Sequence, residues 1–486
     1  MYHLLRREGC SVDYLVYDSS IPITETTTQA RELAEGPKFW QRSVQNQNQM
    51  LKAARVPFQT ISCDPDAEKL ANSAGDLEQL LDYKFDDVDF GSIVFGALCR
   101  YYKSTQRDDA NVTDVARRVL TTALTNYLKI QRLCAKEDYD LVMFSHGIYM
   151  TWEPVAEFCR REEIDFACYG RAKTAGHFTF NTNQPTPDWS FDAAWERYHE
   201  RELTTAEQKR ALDYLKDRET QKGDYYSYNS TGRENNLDNV RDRLGIPSEA
   251  KLLTICTNLI WDAANASRDL IFDSMLDCVY ETMQHFAARQ DVHVLLRTHP
   301  AEEILGTDER YADLLISKFG GSLPDNVTVL DHSAEVNSFT VIDLTDIAIV
   351  NTSTVGLEMA LLGRPTLVVG ETHYRGKGFT IDPISKDLFF SQLDEALSID
   401  RPVVNTDLAL KYFYMMMFQY QLKMPEFLTS KPTNVQLLKL LYSQKSVTNQ
   451  EELHRVLRTL AIKTPPDLMD WKPDHISNQQ WTGATP

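Results

Sequence analysis

The stretch DIAIVNTSTVGLEMALLGRPTLVVGETHYRGKGFT, from Asp346 to Thr380, restricts the possible fold more than any other part of the chain. Ile347 to Val350 is a short apolar run with β-branched residues, the pattern of a strand buried on both faces of a parallel sheet. Asn351, Thr352, Ser353 and Thr354 are turn and cap formers placed where a helix would begin. Val355 to Leu362 continues as that helix, Gly363 stands at a favoured stop position, and Thr366 to Val369 is a second buried strand. Such a unit gathers backbone N–H groups and hydroxyls at a helix N-terminus, where the helix dipole favours an anion.

The rest of the chain repeats this strand–helix grammar. Strands are expected at Val12 to Tyr17, Phe58 to Ile61, Asp140 to Phe144 and Ile164 to Tyr169. Helices are expected over about 26–54, 66–83, 85–104, 112–135, 153–163 and 190–217. A Rossmann-type domain normally opens with a strand and a Gly-rich turn. Neither precedes the helix that ends near Glu8, so the first strand is expected to be missing. The polar, Tyr/Ser/Asn/Gly-rich segment QKGDYYSYNSTGRENNLDN has the composition of a linker. Beyond it, Leu252 to Cys256, Val292 to Leu296, Val327 to Leu330, Ile347 to Val350 and Thr366 to Val369 are the strands of a second α/β domain. Helices over about 267–288, 308–318 and 334–343 connect them.

The expected fold class is therefore α/β, two Rossmann-like domains facing across a cleft (the GT-B layout), plus a C-terminal helical segment. The divisions are an N-terminal acceptor domain at 1–217, a linker at 218–240, a donor domain at 241–400, a helical segment at 401–465 and an irregular tail at 466–486. The run KYFYMMMFQYQLKM is expected as helical core packing, with a membrane- or partner-facing patch as the alternative.

Composition excludes several classes. A net charge of −19 opposes a dominant nucleic-acid role, although it leaves room for a local basic pocket. The eight cysteines are scattered without a CxxC pair, as in a reduced, cytosolic protein. No stretch approaches the ~18 uncharged apolar residues of a membrane-spanning helix, and no signal-peptide core is visible. There is no HExxH, no Walker A, no intact GxGxxG and no clustered metal-ligand motif.

Four constellations in the second domain could carry chemistry. Arg297-Thr298-His299-Pro300 ends a strand, where an open α/β sheet places its ligand contacts. His299 can donate to a phosphate oxygen and Arg297 can pair with the same anion; the alternative is a plain turn. Ser353 and Thr354 could grip a phosphate, and Glu358, one turn further on, could accept ribose hydroxyls. The alternative makes the first two simple caps and Glu358 a solvated residue. The glycine-rich loop Gly370 to Gly378, with His373, Arg375 and Lys377, could touch a sugar phosphate or be a basic surface loop. Asn258 and Asp262, after the first strand of this domain, could meet the donor or belong to an ordinary βα loop. In the first domain Ser145-His146-Gly147-Ile148-Tyr149 ends a buried strand. His146 is the candidate base, Glu153 the reserve, and a core or capping role is the alternative.

At these residues the second domain resembles the bacterial capsule polysaccharide biosynthesis family, which includes the Kdo transferases of capsule assembly. RTHP at 297–300, SxxGxE from Ser353 to Glu358, LGRP at 362–365 and the Tyr/Gly-rich loop from Tyr374 carry the similarity, over about 250–382. The resemblance implies a GT-B enzyme in which His299 and Ser353 bind the donor phosphate and Glu358 lies near the ribose. Arg297, Thr354, Asn258 and Tyr374 are expected as further donor contacts.

The expected function is a metal-independent glycosyltransferase that moves a sugar from a nucleotide-activated donor to a surface or capsular polysaccharide or glycolipid acceptor. The nucleotide-sugar is a substrate, so no cofactor is expected. The expected partners are that donor and a carbohydrate or glycolipid acceptor, with no nucleic acid. The expected location is the cytoplasm, at the inner face of the membrane if the protein associates peripherally. The alternatives are a UDP-sugar 2-epimerase and a non-catalytic nucleotide-sugar-binding scaffold.

Overall fold

The computed structural model describes residues 2–7, 10–174, 177–185, 190–220, 232–262, 268–307, 309–400 and 402–423. The expected α/β class, with parallel strand pairing in both halves and a helical C-terminal part, is present.

In the first half, β1 (Leu15–Tyr17) and β2 (Gln59–Ile61) pair in parallel, with Val16 opposite Thr60. Two strands not anticipated from the sequence, β3 (Lys84–Phe85) and β4 (Val88–Asp89), form a tight hairpin. Asp86 and Asp87 at its tip both take left-handed φ values, 55° and 63°, as a two-residue hairpin turn requires. β5 (Val142–Ser145) runs parallel to β6 (Phe166–Arg171), and β7 (His177–Thr182) folds back antiparallel on β6. The Val112–Cys134 helix anchors this half. Its Val115, Val119, Leu120, Ala123, Leu124, Tyr127 and Leu128 recur at helical spacing and are all buried.

The helix that follows β5 begins earlier than expected, at Tyr149, and runs to Arg161 with Pro154 inside it. Proline has no N–H to give the carbonyl four residues back, that of Met150. Asn126 Nδ2 from the Val112–Cys134 helix donates to that carbonyl instead, at 3.0 Å. This bond joins the two helices close to the turn that carries His146.

The second half holds one parallel sheet of β8 (Lys251–Cys256), β9 (Val292–Arg297), β10 (Val327–Leu330), β11 (Ile347–Val350) and β12 (Thr366–Val368). The spatial order is β10-β9-β8-β11-β12. The chain thus builds outwards from β8 on one side, then crosses to its other side at β11. β9, β11 and β12 are buried at every position; β11 is accordingly an apolar run without alternation, while β9 also buries His293 and Arg297 and β12 buries Thr366. The expected helix over 190–217 is two, Asp192–Tyr198 and Thr205–Glu219, because Thr204 and Glu207 form a capping box that starts the second.

The KYFYMMMF run lies in the core: Lys411 to Met417 are buried, in the Thr406–Tyr414 helix and a π-helical continuation, Met415–Gln419. The chain then returns to the first half, where β13 (Leu422–Lys423) pairs antiparallel with β7. The expected linker at 218–240 lies partly outside the described residues, as do most of the expected segment 401–465 and the tail 466–486. Among the described residues no helix is long and apolar enough to cross a membrane.

Asn126→Ala should destabilise the protein by about 1–3 kcal/mol, the cost of leaving buried polar groups unpaired. Adding Pro154→Ala supplies an N–H for Met150, so urea unfolding should show part of the loss recovered. Equal losses in both backgrounds would contradict the assignment.

Candidate functional site

The parallel register brings the candidate residues of the second half together. Cys256 of β8 is opposite Arg297 of β9 on one side and Val350 of β11 on the other. These residues therefore lie on one row across three strands, each about 4.8 Å from the next. The segments that follow, Thr257-Asn258, Thr298-His299 and Asn351 to Thr354, leave the sheet side by side. They leave at the carboxyl ends of the strands, around the point where strand order reverses between β8 and β11. That crevice is the general ligand position of open α/β sheets.

The turn after β11 is held from below and from the side. Asn258 Nδ2 donates to Thr352 Oγ1 at 2.9 Å. Asn351 Nδ2 donates to Asp269 Oδ1 at 2.9 Å. The fully buried Tyr374 donates its hydroxyl to the Ser353 carbonyl. Gly370 must be glycine, since a β-carbon there would fall 1.7 Å from Asn351 Oδ1. Ser353 Oγ accepts weakly from the Val355 N–H, at 3.4 Å. Thr354 is the N-cap of the Val355–Leu361 helix, but its hydroxyl does not cap it. That hydroxyl instead accepts a bond from Lys173 Nζ, which reaches over from the first half.

On the neighbouring strand, Arg297 is 8% exposed and Nη1 donates to the Asp331 carbonyl at 2.9 Å. Burial holds its pKa below the usual guanidinium range. The His299 ring is half-buried, and its Nδ1 accepts the Ala301 N–H at 3.1 Å, so the neutral ring carries its proton on Nε2. Burial depresses its pKa to about 4, against the opposing charge of Asp262 and with the help of Arg297. Among the described residues, three buried polar atoms around this row have no hydrogen-bond partner: Arg297 Nε, Thr257 Oγ1 and Asn351 Oδ1. Such atoms call for an explanation, and a ligand is one.

The first half faces this row through one strained turn. His146, Gly147 and Tyr149 all have left-handed φ values, 56°, 79° and 67°. Gly147 is required, because a β-carbon would come within 2.7 Å of Cys168 Sγ. Strain of this kind gathers at functional sites. His146 is exposed, stacks on Trp152 and shares a hydrogen bond with Ser145 Oγ. Desolvation by its surroundings, then Arg100 and Arg171, lower its pKa. Tyr149 crosses to the second half: its hydroxyl donates to Asp262 Oδ1 at 3.3 Å and accepts from Arg100 Nη1 at 3.2 Å. Arg100, Tyr149 and Asp262 are thus hydrogen-bonded in series across the two halves, and the charges at the ends of the series act on His146 and His299. Arg100 and Lys173 belong to no motif, Tyr149 closes the Ser145–Tyr149 stretch without having been assigned a role, and the left-handed turn was foreshadowed only by Gly147.

Three candidates are placed differently from expectation. Glu358 is not on an open helix face: it is 5% exposed and ion-paired with Arg218, because the Thr205–Glu219 helix covers that side. Tyr374 is in the core beneath the turn and supports it from below. Glu153 accepts the Tyr149 N–H at 3.1 Å and so holds the strained turn. In the glycine-rich loop, His373 is bonded through Nδ1 to Tyr412 Oη at 2.9 Å and burial drives its pKa down to about 3.

Fold and site define a class: an α/β protein whose candidate ligand groups collect at the switch point of an open parallel sheet. The family model described as capsule polysaccharide biosynthesis protein matches residues 197–420, and over this segment the resemblance carried by the motifs is borne out. Solved structures similar to this chain include KpsC, beta Kdo 2,4 transferase, from Thermosulfurimonas dismutans, at 14% identity over 63% of this chain and 88% of that one, TM-score 0.41. The wall teichoic acid polymerase TagF is 16% identical over 38% of this chain and 42% of its own, TM-score 0.25. The UDP-GlcNAc 2-epimerase from Neisseria meningitidis, bound to UDP-GlcNAc, is 10% identical over 76% and 95%, TM-score 0.30. No curated protein matches the chain.

His299 and His373 are neutral in the fold and charge more readily when unfolded, since an ordinary His pKa is about 6.5. Their contribution to stability is complete above that value and is lost as pH falls towards 4 and 3. Denaturant unfolding between pH 7 and 4.5 should show falling stability on acidification, with a shallower slope in His299→Gln. An identical slope in that variant would contradict a His299 kept neutral in the fold.

Proposed function

We propose that this protein is a GT-B-type glycosyltransferase of surface or capsular polysaccharide synthesis, taking its sugar from a nucleotide-activated donor. The observation that carries this reading is the convergence of Arg297, His299 and the Asn351–Thr354 turn at one switch point, within a segment matched by the capsule polysaccharide biosynthesis model.

In this reading the donor phosphate rests between His299 and the hydroxyls of Ser353 and Thr354. His299, kept neutral by burial, offers Nε2–H to a phosphate oxygen, and Arg297 adds a fixed positive charge behind it. The acceptor hydroxyl oxygen attacks the anomeric carbon as the bond from that carbon to the phosphate oxygen breaks. The electron pair goes to the phosphate, where donors already in place stabilise the charge as it develops. His146, with its lowered pKa, takes the hydroxyl proton. Glu153 is a positioning residue for this turn in the same scheme and the reserve base. Asn258 acts on the donor through the turn it clamps. No metal or cofactor is assigned a step. The acceptor is a carbohydrate or glycolipid, and a glycolipid acceptor would bring the protein to the inner face of the membrane as a peripheral protein.

Thermal unfolding in the presence of CMP, UDP, GDP or CDP should identify the nucleotide. One at a hundred times its Kd adds about 2.7 kcal/mol of stability. With the matching sugar donor, His299→Ala should lose transfer by about a hundredfold or more, on the scale of removing one donor to a developing oxyanion. Its unfolding midpoint should stay near that of the wild type. Full transfer in His299→Ala, or epimerisation of the donor without any acceptor, would overturn the reading.

A further inference from the structure

Lys173 sits at the tip of the hairpin between β6 and β7, in the first half, yet its ammonium group bonds to Thr354 Oγ1 in the second. The backbone that carries it is held on several sides. Ala172 N–H donates to the His177 carbonyl at 3.0 Å, and His177 N–H returns a bond to the Thr174 carbonyl at 3.1 Å. Thr174 N–H donates to Gln421 Oε1 at 2.9 Å, and Thr174 Oγ1 donates to Tyr214 Oη at 3.1 Å. Gln421 is itself 4% exposed and bonded to Met417, and β13 immediately after it pairs with β7. The returning C-terminal segment therefore sets the position from which Lys173 crosses.

Two more cations share this neighbourhood. Arg268 and Lys377, with Lys173, act together on His373 and oppose its protonation. Lys377 is ion-paired with Asp192. Arg268 lies where β12 leads into the glycine-rich loop: its carbonyl accepts the Glu371 N–H at 2.8 Å. Cations thus arrive from the first-half hairpin, from the segment before β9 and from the loop after β12. The hydroxyl that Lys173 meets is the one the following helix leaves unused.

We propose that Lys173 is a phosphate-binding residue of the site in the second half, so that a bound phosphate is held from both sides of the cleft. This rests on the reading of the site as one for a phosphate-bearing nucleotide. An ammonium group has three donors. Lys173 can keep Thr354 with one and give another to a phosphate oxygen, a charge-assisted bond stronger than the one to a neutral hydroxyl. Ligand binding then links the first-half hairpin to the turn after β11.

The test uses the full chain. Calorimetric titration with CMP, UDP, GDP, CDP and the parent nucleosides is run on wild type, Lys173→Gln and Lys173→Arg. A nucleotide that binds wild type should bind Lys173→Gln about tenfold or more weakly, the scale of one charged hydrogen bond. Lys173→Arg should retain part of the affinity, and nucleosides should not distinguish the three proteins. A second readout needs no variant: the nucleotide, but not the nucleoside, should protect Lys173 of the wild type from amine acetylation, followed by mass spectrometry. Equal nucleotide affinity in Lys173→Gln, or equal acetylation with and without nucleotide, would overturn the role of Lys173 and leave the proposed function standing. Failure of every nucleotide to bind wild type would instead overturn the proposed function.

Discussion

One row of backbone pairing governs the site. Arg297, Cys256 and Val350 are joined across β9, β8 and β11, and each is the last strand residue before its chain turns out of the sheet. A shift of any strand by one residue would put a different side chain at the exit and break the row. The register is fixed because these strands are buried on both faces, where misaligned side chains would leave voids or clash. Everything argued about the site depends on that alignment, including the bond from Asn258 to Thr352 that ties the exits of β8 and β11 together.

The two halves meet through polar side chains placed at loop tips. Tyr149 reaches Asp262, Lys173 reaches Thr354, and the buried carboxylate of Glu309 accepts from Thr105 Oγ1 at 2.8 Å and from Ser104 Oγ at 3.1 Å. The π-helical segment and β13 carry the chain back, so the hairpin bearing Lys173 is braced by residues more than two hundred positions later. Changes in the Met415–Gln419 segment therefore bear on a hairpin far away in sequence.

Much of the second half was legible because its physics is local. Val327–Leu330 and Ile347–Val350 were found to the residue, since short β-branched apolar runs bounded by turn formers have few other uses. The site motifs were visible for the same reason: RTHP and NTST follow strand ends, and their side chains have capping and anion chemistry. What the sequence hid was the covering of each face. Helical spacing put Glu358 one turn from Thr354 but could not say that the Thr205–Glu219 helix would cover it and supply Arg218. Tyr374 lay in a glycine-rich loop, which suggests exposure, yet its ring fills the space beneath the turn. β7 was missed although Phe178 and Phe180 alternate with polar residues, because the alternation spans only two apolar positions; two-residue β13 carries no period at all, and nothing in sequence marks Lys173 as a lysine that crosses a cleft. Asn126 and Met150 were likewise invisible as partners: only the fold brings the Pro154 defect against a helix that can repair it.

The central claim is that a nucleotide phosphate occupies the crevice between the exits of β9 and β11. A crystal structure with the nucleotide that most raises the unfolding temperature tests it directly. The account predicts a phosphate oxygen within hydrogen-bond distance of His299 Nε2 and of Ser353 or Thr354. A nucleotide bound elsewhere, with His299 and the turn untouched, would contradict it.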